Sequence, residues 1–315
     1  MCPAAIVGDR DSGLTTFLGL LYAAQVRYGG AHEDAFRFHC SAESLKAISG
    51  VYQSLLGGSF HPKPPGGEGL PSLDFLFGYR RGARGVFDGL FGKKSGEFSV
   101  LRFTVLNTNA EELAEYIAGG LVDDEISRIL RSTIVVFIVD ASKFSVDKES
   151  AGFRRLIWYD GFVARLCDAF LQYKTLARAN QVSEVAPVFV FTKWDRVKPA
   201  LLKEAGLPAE LPKIEDAQGR AGFGRALLSK FLPKTLLKIE KQEIKGVRFT
   251  ARAHFFSRLG VEKKEDGSVK IKRQMSSGIG GWEPEYSYEE YVAFIEHMRG
   301  IASKYPDSTD LNERA

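Results

Sequence analysis

Two continuous runs of β-branched and aromatic residues stand out along this chain, residues 133–139 (TIVVFIV) and 187–191 (PVFVF). A strand buried on both faces has this pattern, because neither alternating set of side chains meets water. A third short apolar run, residues 4–7, opens the chain. Elsewhere apolar residues recur at helical spacing. This predicts helices over about residues 14–28, over 42–56 with Ser41 as cap, and over 150–180, where Phe153, Leu156, Phe162, Leu166 and Phe170 share a stripe. Residues 73–79 and 97–106 read as two strands of a hairpin, and 246–256 as a further strand. Shorter helices are expected near 123–131, 197–205 and 215–241, the last interrupted by Pro233. Residues 57–72 are dense in Gly and Pro and read as loop. Residues 261–284 read as a hairpin about Asp266-Gly267 followed by a loose Gly-rich link. The last helix opens on Ser287-Tyr-Glu-Glu290, a capping-box pattern.

Strands alternating with helices predict an α/β fold, a mostly parallel sheet covered by helices on both faces. Ligands in such sheets bind at the carboxyl ends of the strands. The pattern fits one domain over residues 1–305 with insertions near 31–70, 200–245 and 261–284, then a polar, disordered tail at 306–315.

Composition narrows the function classes only slightly. A net charge of +4 over 315 residues is too mild to indicate nucleic acid. Cys2, Cys40 and Cys167 lack metal-ligand spacing and suit a reducing compartment. The first strand begins within a few residues of Met1, and no apolar run reaches membrane-spanning length. The expectation is a cytoplasmic protein.

The strand-to-helix junction carries the first candidate chemistry. Gly8 and Gly13 are spaced as in the phosphate-binding pattern G-x-x-x-x-G-K-[ST], and Thr15 stands at its metal-binding hydroxyl. Position 14, where the pattern has lysine, is leucine. Backbone N–H groups and the helix dipole hold phosphate without any side-chain charge. Phosphate contacts are therefore expected from Gly8, Asp9, Arg10, Ser12, Gly13, Leu14, Thr15 and Thr16. Asp9 and Asp11, however, add negative charge beside the anion. Taken alone, the stretch reads equally well as a tight turn with no ligand.

Two further motifs follow strands. Thr192-Lys-Trp-Asp195 comes directly after the run 187–191, and Ser257-Arg-Leu259 after 246–256. With these motifs in this order, the chain resembles a Ras-like small GTPase, a P-loop G domain, over nearly its whole length. The resemblance implies that Asp195 accepts hydrogen bonds from guanine N1 and N2 and that Lys193 lies across the base. It further implies that Thr192 and Ser257 belong to the base site, and that the Arg258 N–H meets guanine O6. GTP or GDP would be the ligand, with Mg²⁺ on Thr15 and Asn107.

The departures from the family pattern are as informative. Besides Leu14, the sequence Asn107-Thr-Asn-Ala110 occupies the place of D-x-x-G, so both the metal-holding aspartate and the γ-phosphate-sensing glycine are replaced. No glutamine stands near Glu111 and Glu112 to orient water. The resemblance thus implies a guanine-nucleotide-binding pseudo-GTPase, at best a slow enzyme. It would act as a regulatory or scaffold protein with a protein partner such as another G domain. One alternative is an active divergent GTPase using Arg10 or a partner's residue in place of lysine. Another is a peripheral membrane or RNA adaptor acting through the basic hairpin tip at 79–94.

Overall fold

The computed structural model describes residues 2–31, 36–62, 73–80, 98–105, 110–119, 124–177, 183–250, 252–265, 267–276 and 281–304. Asn107, most of the 79–94 hairpin tip and the tail lie outside the described residues.

The parallel strands are β1 (Cys2–Gly8), β4 (Phe98–Val105), β5 (Ile134–Asp140), β6 (Ser183–Thr192), β8 (Val247–Phe249) and β9 (Ala253–Phe256). β1 lies between β4 and β5, β6 lies beyond β5, and β8 and β9 both run alongside β6. β3 (Leu73–Arg80) joins β4 antiparallel, and β2 (Phe36–Cys40) adds a further antiparallel strand outside it. At the opposite edge the two-residue β7 (Glu243–Ile244) pairs antiparallel with β8. The sheet is therefore mixed, with a parallel centre.

After β1 the chain travels to the β2–β3–β4 side, returns beside β1, and then builds the β5–β6–β9 side. β1 is thus the topological switch point, and its carboxyl end is where such a sheet leaves a crevice.

Alternation along β5 explains the two-layer core. Ile134, Val136 and Ile138 face one side, and Val135, Phe137 and Val139 the other, all fully buried. The first face is covered by α1 (Leu14–Ala31), α2 (Ala42–Leu56) and α9 (Tyr288–Lys304). The second is covered by α3 (Ala110–Gly119), α4 (Asp124–Arg131), α5 (Ala151–Ala177), α7 (Ala217–Phe231) and α8 (Pro233–Lys241). The short α6 (Pro199–Glu204) packs Leu202 into the same cluster. Ser41 caps α2 by accepting from the Ser44 N–H at 3.0 Å, as its position suggested. Pro233 ends α7 and stands at the first position of α8, where its missing N–H costs nothing.

Four expectations are corrected. The run 246–256 is two strands: the Thr250 N–H bonds Val185 O at 2.9 Å, so β8 serves the start of β6 and β9 its end. Residues 110–119, for which the apolar pattern predicts no element, form α3. Residues 273–284 form a second hairpin, β12 (Arg273–Ser276) and β13 (Gly281–Pro284), after the expected one, β10 (Val261–Lys263) and β11 (Val269–Ile271). The Ser287/Glu290 pair does not cap α9 reciprocally. Ser287 Oγ accepts from the Arg258 N–H at 3.1 Å, and Glu290 accepts from the Phe256 N–H at 3.0 Å and from Arg220 at 2.6 Å. Among the described residues no helix is long and apolar enough to cross a membrane.

Candidate functional site

The carboxyl ends of β1, β6 and β9 bring the loop 8–13 together with the segments starting at Thr192 and Ser257. The loop is shaped by two left-handed residues, Asp11 at φ 60° and Gly13 at φ 84°. Glycine suits the second, which lies against Thr192 and Lys193. An aspartate in this region costs about 1–2 kcal/mol of backbone strain, held here by surrounding bonds. Lys193 is likewise left-handed, at φ 53°. Two of the three non-glycine residues with positive φ among the described residues therefore sit in this one site.

Thr192 and Lys193 fasten the loop. The Thr192 hydroxyl, buried, contacts Ser12 O and also reaches Val139 O at 3.2 Å. The Lys193 ammonium donates to Asp11 O at 2.5 Å and to Asp140 Oδ2 at 2.7 Å. Trp194 packs edge-on to Phe256, with ring centroids 4.7 Å apart, and anchors the segment in the core. Its N–H donates to Ser257 O at 3.1 Å, so the second and third segments are bonded to each other. Asp195 is exposed, and its Oδ1 accepts from the Leu259 N–H at 3.3 Å. Ser257 Oγ shares a hydrogen bond with Tyr291 Oη at 2.7 Å, which ties this corner to α9.

One shallow pocket, open to solvent, lies where these segments meet. Gly13 and Thr16 line it from the first segment, Thr192, Lys193 and Asp195 from the second, and Ser257 and Leu259 from the third. Phe60 and Val261 close it from two other parts of the chain. No protein-family model matches this chain, and no curated protein matches it.

The loop after β1 is built differently from the sequence expectation. Asp9 is buried, and its carboxylate takes Arg155 Nε at 2.7 Å, the Arg10 N–H at 2.7 Å and Lys143 Nζ at 3.0 Å, with a second Arg155 contact through NH2. Burial raises the pKa of this carboxyl, but Arg155 and Lys143 outweigh it and leave the group below its ordinary value. Arg155 also reaches Glu111 at 2.6 Å, and Lys143 lies 3.8 Å from Asp140. A continuous relay thus runs Glu111–Arg155–Asp9–Lys143–Asp140–Lys193 beneath and around the loop.

Leu14 is half-buried and packs against the apolar cluster under α1. Thr15 and Thr16 are half-buried in the first turn of that helix. Ser12 is buried, and its Oγ has no partner among the described residues. Ala110, which stands where the family pattern has glycine, is buried at the start of α3. Among the described residues no group of three or more His, Cys, Asp or Glu side chains is arranged to hold a metal ion.

Sequence reasoning missed Asp140, Lys143, Arg155, Phe60 and Ser287 as site residues. Asp140 and Lys143 carried one signal, their position just after a doubly buried strand at the sheet's carboxyl edge. Arg155 and Phe60 carried none.

Proposed function

We propose that this chain is a guanine-nucleotide-binding G domain working as a pseudo-GTPase, a regulatory or scaffold protein with little or no hydrolysis. One observation carries the reading. Three segments that resemble the phosphate loop, the guanine-reading [NT]-K-x-D and the S-A-[KL] loop line a single pocket at the sheet's switch point. Short patterns that arise by chance have no reason to meet in space, still less to be fastened to one another by Thr192, Lys193 and Trp194.

Asp195 suits guanine, because a carboxylate accepts from two adjacent donors that adenine lacks. Phe60 offers the base an aromatic wall. The residues fit a base and a phosphate held by backbone N–H groups. They do not fit a Mg²⁺-bound triphosphate, since the half-buried Leu14 brings no charge and Ala110 replaces the sensing glycine. Selective partner binding, rather than turnover, is the activity left to such a site.

The test is to denature the purified protein and identify the released nucleotide by chromatography. Guanine nucleotide near one per chain is expected, and adenine nucleotide contradicts the reading. Multiple-turnover GTP hydrolysis that Asp195→Ala abolishes contradicts the pseudo-GTPase half of it.

A further inference from the structure

The charged side chains around the loop cancel. Arg10, Lys143, Arg155 and Lys193 are cations; Asp9, Asp11, Asp140 and Glu111 are anions. The loop-bracing cations are spent on these carboxylates and on loop carbonyl oxygens: Lys143 on Asp9, Lys193 on Asp140 and Asp11 O, Arg155 on Asp9 and Glu111. What remains for an anion is the backbone N–H groups of the loop and the α1 dipole, equivalent to roughly half a positive charge and confined to the first helical turn. Each phosphoryl group beyond the first reaches past that turn, where Arg10 and the pocket-lining Arg196 carry no ion pair among the described residues but are exposed to water, which leaves a contact with either worth little.

We propose that the site takes a guanine nucleoside mono- or diphosphate and gains nothing from a third phosphoryl group. The proposal rests on the guanine reading above and deepens it to a ligand class. Asp9 is the positioning residue. It holds Arg155 and Lys143 against the underside of the loop, which keeps the phosphate cradle shaped while withholding their charge from the ligand.

The experiment is a calorimetric series of guanosine, GMP, GDP and GTP, run beside the adenine series, on the wild-type chain and on Asp9→Asn. In the wild type, affinity should change less than about threefold from GDP to GTP, since only water-screened cations are met. Asp9→Asn removes one negative charge and releases two cations, so GTP should tighten relative to GMP by about tenfold. Should Asp9→Asn fail to fold by thermal denaturation, Glu111→Gln at the exposed end of the relay should shift the series the same way by a smaller factor. A wild-type rise of about tenfold or more from GDP to GTP overturns the proposal and leaves the guanine reading standing. Variants as flat as the wild type overturn the charge account. Equal adenine and guanine series, or no binding by any guanine compound, overturn both readings together.

Discussion

Arg155 Nε donates to the Asp9 carboxylate at 2.7 Å, across 146 residues of sequence. This contact joins the first turns of α5 to the loop after β1, and through Glu111 it reaches α3 as well. The loop that would cradle phosphate is therefore held from below by a side chain that belongs to no recognisable motif.

Arg155→Gln should lower stability at pH 7 by about 1–3 kcal/mol, because it strips a charged partner from a buried carboxylate that keeps Lys143. Asp9 has a folded pKa below its unfolded one, so its stabilisation is present above about pH 4 and is lost as pH falls through the folded value. The gap between wild type and Arg155→Gln, read from urea denaturation, should accordingly shrink below about pH 4. Arg155 also lies over the Trp158 ring, its guanidinium carbon 4.2 Å from the ring centroid, and a gap that is unchanged in acid means it acts through that packing alone.

His254 supplies a second pH dependence, in milder acid. Its ring is buried, stacks on Phe189 with centroids 6.0 Å apart, and lies against Gly224; Nε2 has no partner among the described residues. Burial, with Arg252, Arg220 and His297 adding repulsion, pushes its pKa down to about 3. The unfolded chain binds a proton near pH 6.5 that the folded chain refuses, so stability falls as pH drops below that value. At pH 5 the loss is about 2 kcal/mol, and His254→Phe should abolish that share of it. Equal losses between pH 7 and pH 5 in both proteins would show that the ring takes its proton while folded.

What could be read from the sequence, and what could not, follows from the range of each interaction. The doubly buried strands, the long helices α1, α2 and α5 and the order of the loop motifs were legible because burial imposes a local period. β2 was hidden because Phe-Arg-Phe-His-Cys is short and sits in a polar stretch, and α3 because its described buried apolar positions are only Ala110 and Leu113. The break between β8 and β9 depends on which half of β6 each strand pairs with, which no local pattern encodes. The relay is illegible for the same reason: it joins Asp9 to residues 134 and 146 positions away. Ser287 and Glu290 were singled out for their spacing, but β9 and the loop after it compete for the same polar groups and win.

Leu14→Lys places a cation at the start of α1. GTP should tighten relative to GMP by about tenfold, a third of the roughly 4 kcal/mol of an ion pair 4 Å apart at intermediate dielectric. Folding stability should fall by about 1 kcal/mol as apolar packing is lost. Competition binding with a fluorescent guanine nucleotide reads the first effect, and unchanged relative affinity would mean that position 14 does not face phosphate.

Phe60→Ala removes the aromatic wall of the pocket without touching the loop or the relay. Base affinity should fall by about 1–2 kcal/mol, equally for guanine and adenine, since stacking does not distinguish purines. Phe60 is 40% exposed, so the melting temperature should scarcely move. Undiminished nucleotide affinity would remove Phe60 from the site.

The guanine assignment of Asp195 is tested most directly by isothermal titration of GDP against ADP, on the wild type and on Asp195→Ala. The account predicts a guanine preference of at least about tenfold in the wild type, the worth of hydrogen bonds to a charged acceptor, and its loss in the variant. Equal affinity for the two nucleotides in the wild type, or a guanine preference that survives Asp195→Ala, would contradict it.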